Sequence, residues 1–297
     1  MRVTNSMMVQ NMLDHLKNNM GDLNDLNEQL SSGKLFQRPS DAPIKVSDSM
    51  NYKSQLNRNS QFQRNLNQTE NWLNTTESAL KSGTEVVQRA RELTIYAAND
   101  SMTSNDRKMV AKEMKQLRDE LIDISNAKLG DSYIFSGQNT EEKPFEVTAG
   151  GIDNHVEYKG DINTVSRRLN ENVEMDINLN GKEVFKDEIE NLNKIYNQLE
   201  DPSVSGEDIG NNLSEMDDSI NKYAELRSEV GGKLQRTGNV IDRLEANEIH
   251  LRTLKSKNED ADLAEVITEL KMEETVYRAS LASGSRIMQQ SLVDFIR

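Results

Sequence analysis

"SMMVQNMLDHLKNNMGDLNDLNEQL", residues 6–30, decides the fold. Apolar side chains recur there at alternating steps of three and four: Val9, Leu13, Leu16, Met20, Leu23 and Leu30, with Asn27 in the remaining slot. That spacing is a heptad seam, and only Gly21 interrupts its helix-forming composition. A helix with one such seam covers it against another helix. The other end of the chain offers a match. Residues 262–297 carry Leu263, Ile267, Leu270, Tyr277, Leu281, Met288, Leu292 and Phe295 at helical spacing, almost to the last residue. Matching seams at the two ends predict that the first and last helices lie together.

Working inward, "SSGKLFQRPSDAP", 31–43, ends the first helix with Gly33, Pro39 and Pro43. Ser40 or Asp41 is placed to cap the next helix, with Pro43 in its first turn. Helical periodicity then runs from Ile44 to about Ala98, and again over 107–127, with the cap-rich turn "DSMTSND", 100–106, between them. From 129 to 185 the character changes. Tyr133-Ile134-Phe135, Phe145–Thr148, Val156–Tyr158 and Met175–Leu179 read as strands, divided by Gly, Asn, Asp and Pro. Gly150-Gly151 and Asn180-Gly181 read as hairpin turns. Helix returns around 187–199. A long heptad run from Leu213 to Leu251 follows "EDPSVSGED", and the charged joint "KSKNEDAD", 255–262, precedes the last helix.

The expected architecture is mainly α: an elongated, segmented rod with a terminal-helix coiled coil, a helical bundle and a small β-rich inserted tip. The parts are 1–40 with 262–297, then 41–128 with 188–261, and 129–187. Low aromatic content (5%), four prolines and fifteen glycines in 297 residues suit long helices better than a loop-rich fold.

Charge is unevenly spread. The net charge is −14, yet residues 1–60 hold 6 acidic against 7 basic side chains and 231–297 hold 11 against 10. Residues 131–230 hold 23 against 9, so the surplus lies there. Neutral ends can pack against copies of themselves, and an acidic middle stays solvated. The balance disfavours nucleic acid and anionic membranes. With no cysteine there is no disulfide and no thiolate chemistry. No apolar stretch is long enough to span a bilayer, and the start lacks the apolar core of a cleaved secretory signal.

No constellation for catalysis emerges. The P-loop, HExxH and GxSxG patterns are missing, and His15, His155 and His250 are scattered across three blocks; His15 and His250 read as partly covered surface residues on helices beside apolar seams. "DINLNGKEVFKD", 176–187, places Asp176, Asn178, Asn180 and Gly181 at calcium-loop positions, with Asp187 where a bidentate Glu would stand. Ile177 and Leu179 alternate as in a strand, which favours a hairpin over a metal loop. No cofactor and no metal are expected, and the chain reads as a non-enzyme.

Four stretches in order carry a resemblance: "RVTNSMM" (2–8), "QLSSGKLFQRPSDAP" (29–43), "GDSYIFSGQNTEEKPF" (130–145) and "DADLAEVITELKMEETVYRASLASGSRIMQQSLVDFIR" (260–297). They resemble the flagellin superfamily. The "RPSDAP" turn and the block at 130–145 are similar to its hook–filament junction proteins rather than to its flagellins. The resemblance implies an extracellular structural subunit of the bacterial flagellum, exported unfolded without a cleaved signal. It implies neighbouring copies of itself, adjoining hook-associated protein and flagellin subunits, and an export chaperone at 262–297 as partners. Alternatives are a flagellin-type filament subunit and a calcium-binding surface rod. The assembly interface is expected at Val9, Leu13, Leu16, Met20 and Leu23, with Leu263, Ile267, Leu270, Leu281, Met288, Leu292 and Phe295. Met7, Met8, Met12, Val276 and Ile287 are further apolar groups in search of partners.

Overall fold

A computed structural model of the chain describes residues 5–99, 102–148, 155–170 and 173–295. Among the described residues three helices, six short strands and four further helices follow in that order: α1 (Asn5–Ser32), α2 (Pro43–Ala97), α3 (Ser104–Ser125), β1 (Lys128–Leu129), β2 (Ser132–Tyr133), β3 (Phe145–Thr148) and β4 (His155–Tyr158). Then come β5 (Ser166–Asn170), β6 (Val173–Asp176), α4 (Gly181–Glu200), α5 (Gly206–Gly210), α6 (Leu213–Glu259) and α7 (Leu263–Phe295). The fold is mainly α, with its strands in three antiparallel pairs, β1–β2, β3–β4 and β5–β6.

Two compact units divide the chain, residues 59–246 and residues 1–58 with 247–297. In the unit of residues 59–246, α2 and α6 run antiparallel, with Asn59 Nδ2 donating to Leu244 O and Arg227 reaching Glu77 at 2.7 Å. α3 and α4 pack against one another, each on its apolar face: Val110, Met114, Leu117 and Leu121 of α3, with Phe185, Ile189, Leu192 and Ile195 of α4. Thr103 starts α3 through a reciprocal capping box with Asp106, as the cap-rich sequence predicts.

The strands join the same core. Phe145 of β3 lies opposite Tyr158 of β4 with ring centroids 5.1 Å apart, and Phe135 packs edge-on to Phe185 at 4.8 Å. Phe185 in turn meets Tyr223 of α6. Five aromatics, Phe135, Phe145, Tyr158, Phe185 and Tyr223, thus meet where the hairpins join α4 and α6.

Three expectations change. Strand β5 pairs with β6 at Val173–Asp176, so Ile177–Leu179 lies beyond the strand. Asn180-Gly181 is not a hairpin turn. The Asn180 side chain accepts from Lys182 N and caps α4, which starts at Gly181, because the apolar spacing of Val184, Phe185 and Ile189 extends the helix backward. Ser40 and Asp41 do not cap α2. They close the turn before it, Asp41 Oδ2 accepting from Arg38 N at 2.9 Å, which holds the Asp41 carboxyl below its ordinary range. The connection between β3 and β4, with Gly150-Gly151, lies outside the described residues.

Candidate assembly interface

In the other unit, α1 and α7 pack together antiparallel: Asn19 Nδ2 donates to Ser280 Oγ, Met12 meets Gly284, and Gly33 meets Ala261. Their contact line is legible from burial. Half-buried residues of α1 fall along one line at Val9, Met12, Leu16, Asn19, Leu23, Leu26 and Leu30, with Gln29 beside the last. On α7 the covered positions are Val266, Leu270, Glu273, Tyr277, Ser280 and Gly284 along one line, with Glu274 half-buried beside Glu273. Both sets step by three and four, so this is a heptad contact in the coiled-coil manner.

The packed seam differs from the one read in the sequence. Val9, Leu16, Leu23 and Leu270 lie on it. Leu13 and Met20 are 58% and 55% exposed, and Leu263, Ile267 and Leu281 are 46%, 46% and 45% exposed. The sequence reading paired Val9 and Leu16 with residues four positions on, whereas the structure pairs them with Met12 and Asn19, three positions on. Met12 therefore has a partner, while Met7, Met8 and Val276 stay exposed. The side chains of Ile287, Met288, Leu292 and Phe295 lie outside the described residues. Asn19, Ser280 and Gly284 escaped the sequence reading because none is apolar.

No α1 side chain among those described is fully buried. The pair thus leaves a second, outward apolar stripe. Completing the burial of a half-exposed Leu, Ile or Met is worth roughly 1 kcal/mol at about 25 cal/mol per Å². Five such residues, Leu13, Met20, Leu263, Ile267 and Leu281, are exposed on these two adjacent helices.

Where α1 ends and α7 begins, the chain is pinned. Gly33 adopts a left-handed conformation (φ 69°) that ends α1, its N–H bonded to Gln29 O. Leu35 N donates to Glu259 O at 2.8 Å and Ala261 N to Gly33 O at 3.0 Å. Lys34 Nζ stands 3.1 Å from Glu259 Oε2, and Lys255 shares the same oxygen at 3.6 Å. Asn258 Nδ2 ties the end of α6 to Lys45 O in the first turn of α2.

The calcium-loop residues are otherwise engaged. Asn178 Oδ1 accepts from Val165 N, Asn180 caps α4, and Asp187 stands on α4 with its side chain 73% exposed, 3.9 Å from Lys222. Among the described residues no group of three or more His, Cys, Asp or Glu side chains is placed to hold a metal. His15 and His250 are exposed. No helix among the described residues is long and apolar enough to cross a membrane.

Comparison with known proteins converges on these elements. The bacterial flagellin N-terminal helical region matches residues 3–140, and the bacterial flagellin C-terminal helical region matches residues 213–296. The chain is 27% identical to flagellar hook-associated protein 3 of Salmonella typhimurium, over 99% of this chain and 88% of that protein. It is 24% identical to flagellin of Bacillus subtilis, over 98% of this chain and 97% of that protein. Its fold matches the crystal structure of flagellar hook associated protein-3 from Legionella pneumophila with a TM-score of 0.63, covering 69% of this chain and 97% of that one at 15% identity. With α1 inside one matched region and α7 inside the other, in the same order, the chain belongs to the flagellin family.

Proposed function

We propose that this chain is the structural subunit joining hook to filament in the bacterial flagellum, and that it assembles through α1 and α7. The observation that carries this reading is the match, along nearly the whole chain, to a hook-associated protein 3. The outward stripe of Leu13, Met20, Leu263, Ile267 and Leu281 supports the mechanism, since each residue is about half exposed in the isolated chain. In the assembled state neighbouring copies cover it, and Met288, Leu292 and Phe295 are assigned to the same interface. Adjoining hook-associated protein and flagellin subunits flank the ring of copies, outside the cell. An export chaperone engages 262–297 before assembly. The proposed division of labour assigns assembly to 1–40 with 262–297, a supporting bundle to 41–128 with 188–261, and the outer surface to 129–187. The role is structural, with no catalytic step.

The second reading is a filament flagellin, favoured by the equally complete match to the Bacillus subtilis protein. Immunogold electron microscopy with an antibody against residues 129–187 separates the two. Label in one short zone at the base of each filament is expected. Label along the whole filament would replace the junction reading with the flagellin one.

A further inference from the structure

Helix α1 carries two seams that share one column. Val9, Leu16 and Leu23 belong to both; Met12, Asn19 and Leu26 complete the seam that packs, and Leu13, Met20 and Asn27 the one that faces out. Positions three and four residues beyond a shared residue lie at about −60° and +40° around the helix, so a turn of about 50° exchanges the seams. α7 has the same ambiguity. There Leu270, Tyr277 and Gly284 lie on both lines; Val266, Glu273 and Ser280 complete the one that packs, and Ile267, Glu274 and Leu281 the other, so the packed line is not the more apolar of the two. Apolar patterning therefore does not choose the contact line.

The rotation is fixed at the helix ends. The break after α1 and the break before α7 stand opposite each other and exchange two main-chain hydrogen bonds, Leu35 N to Glu259 O and Ala261 N to Gly33 O. Such a doubly bonded bridge sets both the register and the direction in which each strand segment runs. Gly33 turns the chain directly from the last turn of α1 into this bridge. On the other side Asp262 Oδ1 accepts from Ala264 N and Glu265 N, so α7 starts one residue after the bridge with no slack. The Lys34 ammonium closes over the largely buried Glu259 carboxylate.

We infer that this bridge acts as a register clamp: it selects the packed seam of the α1–α7 pair and thereby holds Leu13, Met20, Ile267 and Leu281 outward. The Asn19–Ser280 and Met12–Gly284 contacts follow from that choice. The inference concerns the isolated chain and stands whether the outward stripe meets a junction, a filament or another partner.

The chain has no cysteine, so introduced thiol pairs report the seam without background. Asn19→Cys with Ser280→Cys reads the packed seam, and Met20→Cys with Leu281→Cys reads the alternative. Each pair is placed in the full-length monomer and treated with a short bis-maleimide. The first pair is expected to cross-link faster. Combining each with Leu35→Pro, which removes one bridge donor, or with Lys34→Met and Glu259→Gln, is expected to lower the ratio of the two rates roughly tenfold, the scale of one well-made hydrogen bond. Circular dichroism checks that helix content is retained. If Leu35→Pro loses helix, the charge-neutral variant decides alone. An unchanged ratio in helical variants would overturn the clamp and leave seam choice to the packing itself.

Discussion

Met12 of α1 lies directly against Gly284 of α7, so closely that a Cβ built on Gly284 would overlap the end of the Met12 side chain. Inside a helix a glycine costs about 1 kcal/mol relative to alanine, and here the only group a Cβ would meet is the flexible end of Met12. Two substitutions read this contact in opposite ways. Gly284→Ala gains that helix propensity, and the flexible end of Met12 can shift aside, so the net change stays within about 1 kcal/mol. Gly284→Phe has no room on the contact line and separates the helices locally. Amide exchange should then accelerate in α1 around Met12 for the Phe variant and remain at the native rate for the Ala variant.

Tyr223 is the largest fully buried side chain, and its hydroxyl has no hydrogen-bond partner among the described residues. Burial pushes its pKa well above the ordinary phenol value, with the Glu188 carboxylate adding to the shift. A buried hydroxyl left unpaired costs free energy that a phenyl ring of the same shape does not. Tyr223→Phe is therefore expected to raise stability, by about 1 kcal/mol in urea unfolding, while Tyr223→Ala loses about 3–5 kcal/mol through the cavity under Phe185 and Gly83.

Glu188 is buried on α4, with Oε1 3.0 Å from Lys222 Nζ and Oε2 unpaired among the described residues. Burial raises its pKa; the Lys222 ammonium pulls in the other direction and does not cancel it. A carboxyl with a raised folded pKa gives its full stability below the unfolded value and loses it as pH rises through the folded value. The stability contributed by this residue thus falls as pH rises above the ordinary carboxylate range. Glu188→Gln should flatten that component, which urea titrations at about pH 5 and about pH 7 would detect. An equal pH dependence in the two proteins would place the titration elsewhere.

Much of this molecule was legible in its sequence, and the residues that were not share a physical reason. The long helices follow from periodicity and punctuation, and Thr103 with Asp106 announces α3 as a capping box. The pairing of the chain ends followed from two heptad repeats. The choice of seam did not, because Val9, Leu16 and Leu23 are compatible with two contact lines and the polar or small partners Asn19, Ser280 and Gly284 carry no apolar signal. Asn180-Gly181 misled for a related reason. Asn before Gly suits a hairpin turn as well as a helix cap, and only the packing of Phe185 against Phe135 and Tyr223 decides between them.

The outward stripe makes the assembly mechanism testable apart from folding. Leu13→Ser and Leu281→Ser replace side chains that are already 58% and 45% exposed, so the stability of the isolated chain should change by no more than about 0.5 kcal/mol each. Their effect belongs to the assembled state, where each loses the burial that a neighbour supplies, roughly 1 kcal/mol per contact and repeated in every copy. Leu270→Ser is the control, since Leu270 is 7% exposed on the packed seam and its loss should unfold the pair itself. Removing residues 288–297 should likewise abolish incorporation into flagella while leaving most of the helix content of the monomer. Incorporation is read by immunogold labelling of cells expressing each variant, and helix content by circular dichroism of the purified chain. Normal incorporation of Leu13→Ser, Leu281→Ser and the truncated chain would mean that neighbours hold this protein elsewhere, and α1 and α7 would then serve only to close the ends of the chain on each other.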